Sequence, residues 1–130
     1  MKILVLGSNG QLGRCLKDQL LLTEHQSIFT TRTDLDITDF DVARAKITKI
    51  KPDLIINSTA YTAVDKAESD RQEAYSINQH AVANIAQICA GLGCRLIHVS
   101  TDYVFDGSGT EPYTETGITN PQGVYGDSKL

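Results

Sequence analysis

The stretch that most constrains the fold is Met1-Lys2-Ile3-Leu4-Val5-Leu6-Gly7-Ser8-Asn9-Gly10-Gln11-Leu12-Gly13. An apolar run from Ile3 to Leu6 meets glycines at 7, 10 and 13, and a helical pattern follows at once. That order predicts a strand, a tight turn and a helix start, with backbone N–H groups and the positive end of a helix dipole offered to an anion. In this geometry Gly7 permits the sharp turn, Gly10 admits a pyrophosphate to the backbone, and Gly13 lets the helix pack close to the sheet. The spacing is G-x-x-G-x-x-G rather than G-x-G-x-x-G, and a glycine-rich turn in another α/β fold would look alike. The strand directly before and the helix directly after favour a dinucleotide site.

Leu12, Leu16 and Leu20, with Cys15 beside them, predict a helical face packed on a sheet. Ser27-Ile28-Phe29-Thr30-Thr31 is rich in strand-favouring types and closes a βαβ unit of about thirty residues. After such a strand an acid would hold ribose hydroxyls and a base would accept a 2′-phosphate. Arg32 stands there and favours NADPH while leaving NADH open, and with Asp34 and Asp36 it also reads as a solvated surface pair. Thr38-Asp39-Phe40-Asp41 resembles a capping box, after which Phe40, Ala43, Ile47 and Ile50 mark an amphipathic helix ended by Pro52. Leu54-Ile55-Ile56 reads as a buried parallel strand. Ala74, Ile77, Ala81, Ile85, Ile88 and Leu92 hold one helical step over about five turns, closed by Gly91 and Gly93. Arg95 to Ser100 is the next strand.

The order β-α-β-α-β-α-β predicts an open, doubly wound parallel sheet with helices on both faces, a three-layer α/β/α sandwich. Ligands in such sheets bind at the carboxyl ends of the strands. Those ends carry Gly7, Asn57 to Thr59, and Ser100 to Asp102. The stretch from Asp106 to Gly123 has no period and reads as a functional loop. Val124 to Lys129 begins a further helix.

Composition narrows the partners. The 130 residues suffice for one domain, and no apolar run approaches the roughly 20 residues of a membrane span. The short Ile3–Leu6 run does not look like a secretory signal. A net charge of −4 without a basic stripe argues against a nucleic-acid surface. Cys15, Cys89 and Cys94 are odd in number and lack metal-ligand spacing, so buried free thiols in a reducing cytoplasm are expected.

Tyr125 and Lys129 stand at i and i+4 and share a helix face. A tyrosine titrates near 10, and lowering that by about three units takes about 4 kcal/mol, within reach of a nearby cation in a partly desolvated pocket. Such a tyrosine can protonate a carbonyl oxygen as hydride reaches its carbon, and a hydroxyl from Ser100-Thr101 could polarise the same oxygen. By itself Tyr-x-x-x-Lys is also an ordinary surface pair.

Together, the Gly7/Gly10/Gly13 loop, Thr101 and Tyr125-x-x-x-Lys129 resemble the extended short-chain dehydrogenase/reductases. More narrowly, Thr62-Ala63-Val64-Asp65-Lys66-Ala67-Glu68, Ser100-Thr101-Asp102-Tyr103-Val104-Phe105-Asp106-Gly107 and Val124-Tyr125-Gly126 resemble the dTDP-4-dehydrorhamnose reductases. The resemblance implies a Rossmann-like fold and reduction of the C4 ketone of dTDP-4-dehydro-L-rhamnose to dTDP-L-rhamnose, a step in nucleotide-sugar and polysaccharide biosynthesis. It implies Thr101, Tyr125 and Lys129 as the catalytic trio, with Tyr125 and Lys129 also touching the cofactor. Gly10-Gln11-Leu12, flanked by Gly7 and Gly13, match the pyrophosphate loop, Asp36-Ile37 the segment beside adenine, and Ala60-Tyr61-Thr62 the cofactor-lining turn. Thr62, Val64, Thr101, Asp102 and Tyr103 match positions near the sugar nucleotide. Core packing remains the plainer reading of Val64 and Tyr103, and a solvated helix start that of Asp65-Lys66-Glu68. Asn78 matches a helix asparagine with either a structural or a proton-relay role.

Two departures refine this. Tyr103 stands where related dehydratases carry a glutamate, which disfavours dehydration. Cys15 stands where some reductases carry a glutamate linked to magnesium, so no metal is expected. Family members continue for roughly another domain, so residues 1–130 are expected to be an incomplete NAD(P)-binding domain. The later strands and substrate lobe would lie beyond Leu130, and the open sheet edge would invite strand exchange or a homodimer. Such a chain is expected to bind cofactor without efficient catalysis. The other reading is a non-catalytic NADP-binding protein resembling the regulatory β subunit of methionine adenosyltransferase.

Overall fold

The structure, a computed structural model, describes residues 1–130. Strands β1 (Lys2–Leu6), β2 (Gln26–Thr30), β3 (Leu54–Asn57) and β4 (Arg95–His98) form one parallel sheet in the order β2-β1-β3-β4. Helices α1 (Gln11–Leu20) and α2 (Phe40–Ile50) make the first two crossovers. The third contains α3 (Val64–Ala67), α4 (Arg71–Tyr75) and α5 (Ala81–Leu92), and α6 (Val124–Lys129) ends the chain. The path leaves β1 toward β2 and returns across it to β3, so the crevice between β1 and β3 is the switch point where ligands bind in open sheets. The doubly wound, Rossmann-like α/β fold is as expected.

Alternation along the strands sorts the layers. Leu4, Leu6 and Ile55 pack with Ala43 and Ile47 of α2 and Ile85, Ile88 and Cys89 of α5 in the main core. Ile3 and Val5 are equally buried on the opposite face, the side of α1. That layer is thinner than the periodicity predicts. Gly13 is the buried residue of α1, while Leu12 is 42% exposed and Cys15 is exposed as well. The expectation of three buried thiols therefore fails at Cys15, holds at Cys89, and is half met at Cys94.

Three boundaries also shift. Asp39, not Thr38, caps α2, accepting the Val42 N–H at 3.1 Å, because Thr38 is already bonded to Asp36. The helix ends at Lys51, in the left-handed region at φ 50°, one residue before Pro52. The helix expected from Ala74 to Leu92 starts earlier, at Arg71, and is helical throughout, but a π stretch at Ser76–His80 joins its two α parts, α4 and α5. Gly93, at φ 65°, closes α5.

Candidate functional site

Gly7 turns the chain off β1 at φ 77°, and its N–H and that of Ser8 both donate to the Thr30 carbonyl at 2.9 Å. Those two donors therefore staple the loop to β2 and are turned away from any ligand. The anion donors lie one step further on. Gly10 caps α1 without a side-chain bond, and the N–H groups of Gln11, Leu12 and Gly13 have no partner in the chain. No acid occupies this first turn. Three unpaired N–H groups at the positive end of a helix can receive an anion. Gly13 serves the loop rather than the sheet, since a Cβ there would stand 2.3 Å from the Gly7 carbonyl oxygen. At Gly10 a Cβ meets nothing closer than 3.4 Å, so its bareness keeps the approach to those donors open.

A cavity of about 230 Å³ opens beside this loop, lined among others by Gly7, Gly10, Arg32, Asp36, Ile37 and Ala60. Asp36 is shaped by its own turn, accepting the Thr38 N–H at 2.9 Å and hydroxyl at 2.6 Å. The Thr38 hydroxyl, more than any other group, holds the Asp36 carboxyl below its usual range. Arg32 Nε lies 3.2 Å from Asp36, and its terminal nitrogen lies 3.6 Å from Glu73 on α4. The surface pair foreseen for Arg32 thus exists, and the guanidinium still borders the cavity.

A second space, about 170 Å³, continues over the ends of β3 and β4 and shares Ser58, Thr59 and Ala60 with the first. Leu12, Thr62, Ser100, Tyr125 and Lys129 line it, which accounts for the exposed Leu12: it is a wall of this cavity. Lys129 is only 9% exposed and donates to the Val99 carbonyl at 2.6 Å. Burial lowers its pKa. A third space, about 500 Å³, lies on the other side of Tyr125, and Val64, Asp102 and Tyr103 contribute to it. Tyr103 meets Tyr125 edge-on, with ring centroids 5.5 Å apart. Both Val64 and Tyr103 therefore border a cavity, and Tyr103 is 53% exposed rather than packed in a core.

Four expected residues line none of these spaces. Gln11 is exposed at the start of α1 and Gly13 is buried behind the loop. The Tyr61 hydroxyl points to Asp70 at 3.2 Å. Thr101 caps the 3-10 turn Asp102–Val104, accepting the Tyr103 N–H at 3.3 Å and donating to Asp102 at 3.2 Å. Its neighbour Ser100 is the strand-end hydroxyl residue that lines the Tyr125–Lys129 cavity.

Helix α6 is held by groups that spacing did not single out. Glu68 accepts the Val124 N–H at 2.8 Å, so it is a cap for α6 rather than merely part of a solvated helix start. Asn78, in the π turn, accepts the Tyr61 N–H at 2.8 Å and donates at 3.0 Å to both the Tyr61 carbonyl and the Ser128 hydroxyl. It fastens the Ala60–Thr62 turn to the helix of Tyr125 and Lys129. A Cβ on Gly126 would lie 2.1 Å from the Tyr103 carbonyl oxygen, so a glycine lets α6 rest on that backbone. His98, at the end of β4, was also missed.

The family model described as RmlD substrate binding domain matches residues 1–130. A dTDP-4-dehydrorhamnose reductase of Sinorhizobium fredii is 42% identical over 130 residues, covering 100% of this chain and 44% of that protein. The crystal structure of a dTDP-4-dehydrorhamnose reductase from Clostridium acetobutylicum superposes with a TM-score of 0.97 at 43% identity, over 99% of this chain and 46% of that one. Another, from Bacillus anthracis in complex with NADP, gives 0.95 at 38% identity, over 98% and 46%. The chain spans less than half the length of these relatives.

Proposed function

The chain belongs to the RmlD substrate binding domain family, and on that premise we propose that the protein is an NADPH-preferring reductase of a dTDP-4-keto-6-deoxy sugar, forming dTDP-L-rhamnose. Residues 1–130 act in it as the NAD(P)-binding domain. One observation carries the reading: Tyr125 borders two cavities at once, one continuous with the glycine loop and Lys129, the other with Val64, Asp102 and Tyr103. A proton donor between a cofactor side and a substrate side is what ketone reduction needs.

The residues fit a dinucleotide. The unpaired first-turn N–H groups of α1 would hold the pyrophosphate, Arg32 would receive the 2′-phosphate, and Asp36-Ile37 would border the adenine side. Ala60, Tyr61 and Thr62 form the turn that would hold the nicotinamide half. The nicotinamide, when bound, supplies the hydride. Tyr125 gives its phenolic proton to the alkoxide that develops at C4. Lys129 holds the nicotinamide ribose and tunes Tyr125. Thr101 orients the carbonyl by turning its hydroxyl from Asp102, an exchange of one exposed acceptor for another. Thr62, Val64, Asp102 and Tyr103 border the sugar nucleotide.

The test is NADPH oxidation with the dTDP-4-keto sugar by the full-length protein and its Tyr125→Phe variant. Loss of a general acid lowers turnover by about 10²- to 10⁴-fold, with NADPH affinity kept. Wild-type-like turnover in the variant would sink the mechanism. Cofactor binding with no oxidation by the wild type would instead support a regulatory protein.

A further inference from the structure

Beneath Lys129 lies a polar chain whose hydrogen-bond directions can be worked out from its far end. Asn57 is 1% exposed, and its Oδ1 accepts the Thr59 N–H at 3.1 Å and the Thr59 hydroxyl at 2.6 Å. A backbone N–H can only donate, so this end of the amide is its oxygen. The other end, Nδ2, is a donor and lies 3.2 Å from His98 Nδ1, its partner in the β3–β4 register. His98 Nδ1 must then offer a lone pair, and a neutral imidazole that accepts at Nδ1 carries its hydrogen on Nε2. His98 Nε2 lies 3.3 Å from Lys129 Nζ, which also donates to the Val99 carbonyl. Every contact in the chain has one donor and one acceptor only when Nζ has a lone pair.

We propose that His98 is a positioning residue that, fixed by Asn57 as its Nε2–H tautomer, donates to Lys129 and holds it as the uncharged amine in the nucleotide-free protein. An ammonium at Nζ would face an N–H and lose that bond, so Lys129 takes up its proton when a ligand draws Nζ away from His98. The charge that tunes Tyr125 is thereby coupled to occupation of the cofactor side. This rests on the role given to Lys129 above. The surroundings agree. Tyr125 is the other titratable side chain lining the cavity that holds Lys129, and no carboxylate forms an ion pair with Lys129. Burial is the largest influence on both groups and disfavours charge on Lys129 and on His98.

The test is NMR of the ¹⁵N-labelled, nucleotide-free protein, reading the His98 ring nitrogens and the titration of Lys129. The expected result is an unprotonated Nδ1, a protonated Nε2, and a Lys129 side chain that is already the amine at neutral pH. Asn57→Asp exchanges the donor facing Nδ1 for an acceptor of the same shape. It is expected to turn His98 to its Nδ1–H tautomer and to move the Lys129 midpoint up. An Nδ1–H tautomer in the wild type, or a Lys129 that is still an ammonium at neutral pH, overturns the proposal, and the wild-type spectrum decides this even if Asn57→Asp does not fold. So does a folded variant in which both signals stay where they were. None of these signals depends on turnover, so they leave the reductase reading to the Tyr125→Phe assay.

Discussion

A methyl group on Gly13 would press on the Gly7 carbonyl oxygen at 2.3 Å and on Ser8 Cα at 2.6 Å, both backbone atoms that cannot turn aside. Gly13→Ala is therefore expected to destabilise the fold by at least about 1–3 kcal/mol, the usual penalty of overpacking, read as a lowered melting temperature. Gly10→Ala meets no such obstacle. It should cost no more than about 1 kcal/mol as a poorer cap, yet weaken NADPH binding, because its methyl stands before the α1 N–H groups. Equal loss of stability in both variants would refute this division of labour. A different residue governs the loop after β4. Asp106 accepts the Ser108 N–H and hydroxyl and the Tyr113 hydroxyl, and its carboxyl is lowered to about 2, mostly by the Ser108 N–H. Its unfolded value is about 3.9, so the stabilisation is complete above that pH and is lost as pH falls through 2. The stack of Tyr113 on Phe105, with centroids 4.2 Å apart, reports on this loop. Tyr113 ring shifts should stay native down to about pH 4 and move toward coil values below it, whereas in Asp106→Asn they should be perturbed at every pH.

The π turn at Ser76–His80 exists for a tertiary reason. Nothing in the apolar step from Ala74 to Leu92 interrupts a regular helix, and the sequence pattern reads as one. The interruption places Asn78 between the Tyr61 backbone and Ser128, partners 17 and 50 residues away that no local periodicity can reveal. The same limit explains Glu68, whose bond to Val124 spans 56 residues. The parallel, doubly wound sheet, by contrast, was legible, because Leu54-Ile55-Ile56 and the βαβ spacing answer to burial and chain length alone. Asn78→Ala removes three hydrogen bonds and leaves the Tyr61 amide groups with no partner. A loss of about 1–3 kcal/mol is expected, seen as a lower urea midpoint at unchanged slope. Because the turn and α6 are then no longer fastened, cofactor affinity should fall as well. A stability loss with wild-type affinity would show that the bridge holds the fold but not the site.

Across the whole molecule, the carboxyl edge of a parallel sheet gathers what the chain keeps apart, and this much follows from topology. Gly7, Ala60, Tyr125 and Lys129 were expected at that edge and line connected spaces there. Which edge residues face inward depends on register, so His98 stayed hidden, while the Thr101 hydroxyl is engaged with Asp102 and the Tyr103 N–H. Arg32 is the residue whose two readings the whole site must reconcile. Its side chain is 65% exposed beside Asp36 and Glu73, and exposed pairs of this kind contribute only about 0.2–1 kcal/mol. Hydrogen bonds between a guanidinium and a phosphate contribute about 1.5–3 kcal/mol, so a 2′-phosphate can draw Arg32 from both acids. Arg32→Ala should therefore weaken NADPH by about tenfold or more and leave NADH unchanged. Glu73→Gln removes one competitor for the guanidinium and should strengthen NADPH alone. Thermal shift measures both, since nucleotide at 100 times its Kd raises stability by about 2.7 kcal/mol. A wild-type preference for NADH, or an Arg32→Ala variant that loses both nucleotides equally, would leave Arg32 as a surface ion pair and nothing more.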